Sequence, residues 1–173
     1  MPKWEVHMKW SKRMGIPDDV AEYTNRLIDA RTLEDYPEDF SKWINKVEFP
    51  RPKGRLPFSL ADLLVTFGTH DVRKMKREIL PYFQRKGHDY VRAWYLHHVL
   101  DYLVKLKDWM QNTGESIEDC INKYRKNKAV TLFGTEEQLI EVMNFLKRNI
   151  RGLQEDLNLP GVGASGATEL ISD

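Results

Sequence analysis

The chain has 173 residues, of which 41% are hydrophobic and 31% charged, with a net charge of +1. That length and apolar share suit one domain with its own core and no need of disulfide staples. The near balance of charge excludes a globally basic nucleic-acid binder, though a local basic patch stays open. The single cysteine, Cys120, cannot close an intrachain disulfide, and neither an apolar N-terminal segment nor a membrane-length apolar run is present. A soluble cytoplasmic protein with no membrane partner is expected.

Pro2 to Met14 reads as a helix stopped by Gly15, with Ile16-Pro17 as the turn. Asp18 or Asp19 caps a second helix to about Ala30, whose Val20, Tyr23, Thr24, Leu27 and Ile28 form an amphipathic stripe. A third helix has Pro37 in its first turn and Phe40, Trp43, Ile44 and Val47 as its apolar face. Phe49 to Pro57 is a basic, proline-rich loop carrying Arg51, Lys53 and Arg55. Ser59 and Asp62 open a fourth helix over Leu60 to Phe67. A further segment from His70-Asp71 runs to about Tyr82.

Pro81 and Gly87 bracket a turn, with His88-Asp89 read as the N-cap of one long helix to Gln111. Asn112-Thr113-Gly114 closes it, and Ser116 caps a short helix to about Tyr124. Lys123 to Lys128 is a basic run. A Thr135/Gln138 capping box then begins a helix to about Leu157. Ala129 to Phe133 is the one strand candidate. From Pro160 the chain is a Gly/Ala/Ser tail with few anchors, so 1–159 is expected to be one helical domain and 160–173 a flexible tail. The expected fold is all-α, an irregular bundle of seven to eight helices. The five tryptophans and Cys120 are assigned to the core.

Four of the five histidines lie between Thr69 and Asp101, and the fifth, His7, is on the first helix. On the long helix, at about 100° per residue, His97, Asp101 and Asp108 share one strip. Nearly all the rest of its perimeter is apolar, as expected of a central helix. A buried strip of His and Asp needs partners, and a divalent metal ion is a natural one. Imidazole with carboxylate suits Mn, Fe, Co, Ni or Zn, whereas Mg and Ca prefer oxygen alone. His97 and His98 stand about 100° apart, so at most one of them faces a common site.

His7, the Thr69-His70-Asp71-Val72-Arg73-Lys74 segment and a later Asp resemble the HD superfamily of metal-dependent phosphohydrolases, with Arg73 where glycine is usual. The resemblance spans roughly Trp4 to Asp119. It implies an all-helical fold and a metal held by His7, His70, Asp71 and Asp101, with Asp119 as the other candidate for the late aspartate. His88, His97 and His98 resemble the additional histidines of members carrying more than one metal. The implied substrate is a nucleotide or other phosphate ester, with Arg73 and Lys74 against the phosphate. The alternative is a non-catalytic helical protein that binds a nucleic acid or protein partner through its basic segments. A homo-oligomer is compatible with either.

Overall fold

The computed structural model describes residues 2–30, 35–44, 79–127 and 131–161. Among these residues there are nine helices and no strand, so the fold is all-α as the capping and periodicity indicate. The expected helix over Leu60 to Phe67, the basic loop with Arg51 to Arg55, the His70-Asp71 pair, Arg73 and Lys74 lie outside the described residues. So does the tail beyond 161.

Helix α1 (Trp4–Arg13) ends where Gly15 takes a φ of 76° that other residues rarely adopt. Its amide bonds back to Lys12, and the Ile16 amide bonds to Ser11 at 3.0 Å, which tucks Ile16 into the core. Helix α2 (Asp18–Asp29) starts after Pro17 rather than at a side-chain cap. Asp18 and Asp19 sit inside its first turn, where their charge favours the N-terminus of the helix dipole. Helix α3 (Glu38–Ile44) likewise begins just after Pro37, whose carbonyl accepts the Ser41 amide.

Helix α4 (Leu80–Lys86) corrects the turn expected at Pro81. The proline lies in the first helical turn, where no N–H is needed, so it opens a helix instead of breaking one. Gly87, at φ 137°, separates it from α5 (His88–Lys105). His88-Asp89 is therefore not the N-cap. Asp89 instead accepts from Arg92 at 2.8 Å, and His88 lies 3.1 Å from Glu141.

The long helix expected to reach Gln111 divides at Leu106, and α6 runs Lys107–Thr113. The Leu106 amide is shared between the Tyr102 and Leu103 carbonyls, a local tightening with no Gly or Pro to announce it. The break carries Met110 into the core and leaves Trp109 exposed. Helix α7 (Ile117–Lys126) has the expected cap, with Ser116 Oγ accepting the Asp119 amide at 3.1 Å.

The last expected helix is also two, α8 (Glu136–Arg148) and α9 (Ile150–Leu157). At the break Asn149 Nδ2 donates to the Phe145 carbonyl, a side-chain bond that competes with continued helix. The expected capping box at Thr135 does not form. Thr135 Oγ1 donates to the Leu132 carbonyl and meets the buried Tyr95 hydroxyl, and it is Glu136 that takes the Gly134 amide. Of the strand candidate, 131–133 is irregular.

Helix α5 is the axis of the bundle: α1, α2, α4, α7 and α8 all pack on it. Trp94, Tyr95, Leu96, Val99, Leu100 and Leu103 are buried around its circumference. Trp10 and Trp94 are fully enclosed, and Cys120 is buried, its thiol pushed up to about 11 chiefly by desolvation. Trp4 and Trp109 correct the assignment of all five tryptophans to the core, since both are exposed. Among the described residues no helix is long and apolar enough to cross a membrane.

One polar cluster ties α2, α3 and α4 together. Asp39 accepts from Tyr23, Tyr82 and Lys86, each at 2.7 Å, and the two phenols also meet one another. The Lys86 ammonium lies 4.0 Å from the centre of the Tyr23 ring and 5.1 Å from that of Tyr90. Burial pushes both phenols well above the ordinary tyrosine range. For Asp39, burial opposes ionisation, but the bonds from Lys86, Tyr23 and Tyr82 prevail and hold its carboxyl well below the usual range.

Two outcomes follow from this packing. Leu100→Ala, in the centre of α5, is expected to cost about 2–5 kcal/mol in denaturant unfolding through the cavity it leaves. Asp39→Asn is expected to lower the melting temperature at neutral pH. Because the folded pKa of Asp39 is depressed, its contribution is present above the unfolded value of about 4 and is lost as pH falls through the folded one. Paired melting curves should therefore converge as pH drops from about 5 toward about 2.

Candidate metal centre

The polar strip of α5 does not face solvent. His97 and Asp101, one turn apart, are both buried, and they meet His7 from α1, also buried. A helix apolar on its other sides must turn this strip toward whichever neighbour can offer polar partners, and α1 and α2 do so. The His7 and His97 rings stack nearly parallel, with centroids 4.0 Å apart and planes 8° from each other. His7 Nε2 stands 3.4 Å from Asp101 Oδ1, and His97 Nε2 stands 3.7 Å from Asp101 Oδ2. One donor atom from each of the three residues fits within a 4.8 Å span.

Helix α2 adds two residues that the sequence alone did not single out. Asn25 Oδ1 is 2.9 Å from His97 Nδ1, and Asn25 Nδ2 donates to Met8 Sδ at 3.5 Å. Asp29, the last residue of α2, places Oδ1 3.9 Å from His97 Nε2, and its side chain is 36% exposed. Asp29 therefore forms the more open edge of an otherwise enclosed cluster. The available signal was a second i, i+4 polar pair, Asn25/Asp29, beside the apolar stripe of α2, matching His97/Asp101 on α5.

The remaining expected residues are placed as follows. His98 is also buried; it packs edge-on against Trp94, 4.3 Å between centroids, and against the His97 ring at 5.5 Å. His88 is exposed and engages Glu141. Asp119 is exposed and accepts from Ser116 Oγ at 2.6 Å within the cap of α7. Asp108 is exposed on α6. Of the two late aspartates, Asp101 is the one brought to His7. His70, Asp71, Arg73 and Lys74 lie outside the described residues.

His7, His97 and Asp101 could together hold a metal ion. Charge-assisted N–H···O bonds run about 2.7–2.9 Å, and the His7 and His97 contacts to Asp101 are longer. The two imidazoles face different oxygens of Asp101, and one donor atom from each of the three residues lies within 4.8 Å of the others. A divalent cation satisfies both imidazoles and the carboxylate at once. The donor set therefore fits a borderline transition metal.

The chain matches no family model, no curated protein and no solved structure.

Proposed function

We propose that the protein is a metal-dependent phosphohydrolase of the HD type, acting on a nucleotide or another phosphate ester. The observation that carries this reading is the meeting of His7 and Asp101, 3.4 Å apart in the buried centre although more than half the chain separates them. These are the first and last ligands that the resemblance to the HD superfamily implies. His70 and Asp71 would complete the set, with a Mn, Fe, Co, Ni or Zn ion as the cofactor. Such an ion, when bound, supplies Lewis acidity and a water acidic enough to act as hydroxide near neutral pH.

The residues of the chain then divide the work by their chemistry. Imidazole and carboxylate side chains enclosed by apolar helices hold their geometry without rearrangement, which favours pre-organised electrostatics. Asp29, at the open edge, is the carboxylate within reach of solvent, and it suits accepting a proton from an incoming water. Arg73 and Lys74 carry the positive charge assigned to the substrate phosphate.

Purified protein is expected to contain or take up close to one equivalent of a transition metal per chain. Asp71→Ala and Asp101→Asn should each lose it, as read by elemental analysis. Added metal should raise the melting temperature of the parent by mass action and leave the variants unmoved. Metal-loaded parent protein should hydrolyse phosphate esters or nucleotides, and the variants should lose at least about a hundredfold in rate, as expected for loss of metal assistance. Absence of metal uptake would remove the hydrolase reading and favour the partner-binding alternative.

A further inference from the structure

We propose that Tyr23, Tyr82, Tyr90 and Asp39 form a cage for an alkylammonium group that keeps at least one N–H. Lys86 is the resident occupant of this cage, and an external amine binds by displacing it. The cage shares no residue with the proposed metal centre and does not rest on it.

The Lys86 ammonium stands 4.0 Å from the centre of the Tyr23 ring, 5.1 Å from that of Tyr90 and 5.6 Å from that of Tyr82. All three lie inside the reach of about 6 Å over which a ring face attracts a cation. The rings come from three different helices, α2, α5 and α4. Those of Tyr23 and Tyr90 stand at 90° with centroids 5.7 Å apart, so they make the two walls of a corner. Asp39 of α3 supplies the countercharge, its Oδ2 accepting from Lys86 at 2.7 Å. Electron-rich ring faces around one positive nitrogen are the chemistry by which substituted ammonium ions are recognised.

Two features make this arrangement a site as well as an ion pair. The walls do not depend on Lys86 for their orientation. The Tyr23 and Tyr82 hydroxyls each donate to Asp39 at 2.7 Å, so rings and carboxylate stay joined when the ammonium leaves. The occupant also has a way out. Lys86 is the last residue of α4, Gly87 follows it at a φ of 137°, and the Lys86 and Asp39 side chains are 22% and 53% exposed.

The class of ligand follows from Asp39. A quaternary ammonium has no N–H, so it would satisfy the rings but leave Oδ2 without the donor it now has. An amine with one or two methyl groups keeps that donor and adds apolar contact with the rings. Because the cage is open only while Lys86 is out, the apparent affinity of an external amine falls by the fraction of time it is vacant.

The test is titration of the parent and of Lys86→Ala with N,N-dimethylethanolamine, protonated at neutral pH, and with isoamyl alcohol, its neutral analogue of the same skeleton. Protein fluorescence reports binding, since the Trp43 ring lies 5.1 Å from that of Tyr82. Lys86→Ala should bind the amine at least about tenfold more tightly than the parent, as vacating the cage requires. It should bind isoamyl alcohol and choline at least about tenfold more weakly than the amine. Adding Tyr23→Leu to Lys86→Ala should abolish the gain while circular dichroism shows the fold retained. The acetylated amide of dimethyl-lysine, titrated beside the free amine, distinguishes a peptide side chain from a small molecule as the source of the ammonium; tighter binding of either supports the cage and names its source. If Lys86→Ala is unfolded alone, recovery of its helical signal with the amine and not with the alcohol reads the same site. Equal binding of amine and alcohol, no gain of Lys86→Ala over the parent, or failure of the amine to bind or refold Lys86→Ala would each overturn the proposal. None of these measurements involves metal or phosphate ester, so the hydrolase reading stands or falls separately.

Discussion

The structure depends on how α5 satisfies a polar strip that it cannot expose. Trp94, Tyr95, Leu96, Val99, Leu100 and Leu103 require α5 to be enclosed on several sides, and His97 and Asp101 are enclosed with them. Burying a carboxylate and an imidazole without partners would cost several kcal/mol, enough to threaten a fold of ordinary stability. The neighbours of α5 on that side are therefore constrained to be polar at matched positions. His7 of α1 and Asn25 of α2 occupy them. The packing of α1 and α2 against α5 and the existence of the centre are thus one fact seen from two sides.

The same constraint shapes the centre's chemistry. An apolar enclosure lowers the local dielectric, so each charge interaction in the cluster is stronger than it would be at the surface. Asp29 is the exception, because the C-terminal end of α2 reaches the edge of the bundle. The enclosed group of His7, His97 and Asp101 could hold a metal ion, with Asp29 at its more open edge. The Asp39 cluster is built on the opposite logic. Its charges lie nearer solvent and are already matched by Lys86, Tyr23 and Tyr82, so it reads as a fastening between helices.

Elsewhere the helix boundaries show local chemistry overruled by packing. Leu106 and Asn149 divide stretches whose apolar periodicity continues through them. In the first case the division carries Met110 inward. In the second a side-chain amide takes a backbone carbonyl. Pro81 shows the reverse: a residue that ordinarily ends helices begins one, because its position in the first turn asks nothing of its missing N–H. Trp109 on α6 and Trp4 on α1 are exposed, although their composition alone would send them inward.

The amino-acid sequence by itself determined the all-α class, the stop at Gly15, the Ser116 cap and the central standing of α5. Each of these depends on propensity, capping or periodicity within a few residues. It also singled out His97 and Asp101, an imidazole and a carboxylate on an otherwise apolar helix that need partners, and His7 through the resemblance to the HD superfamily. Only the tertiary structure decided that Asp101 and not Asp119 meets His7, that His97 stacks on His7 while His98 packs on Trp94, and that Asn25 and Asp29 border the cluster. Those outcomes rest on the angles at which α1 and α2 cross α5. Crossing angles come from the fit of whole helix surfaces, a property that no local stretch of the sequence contains.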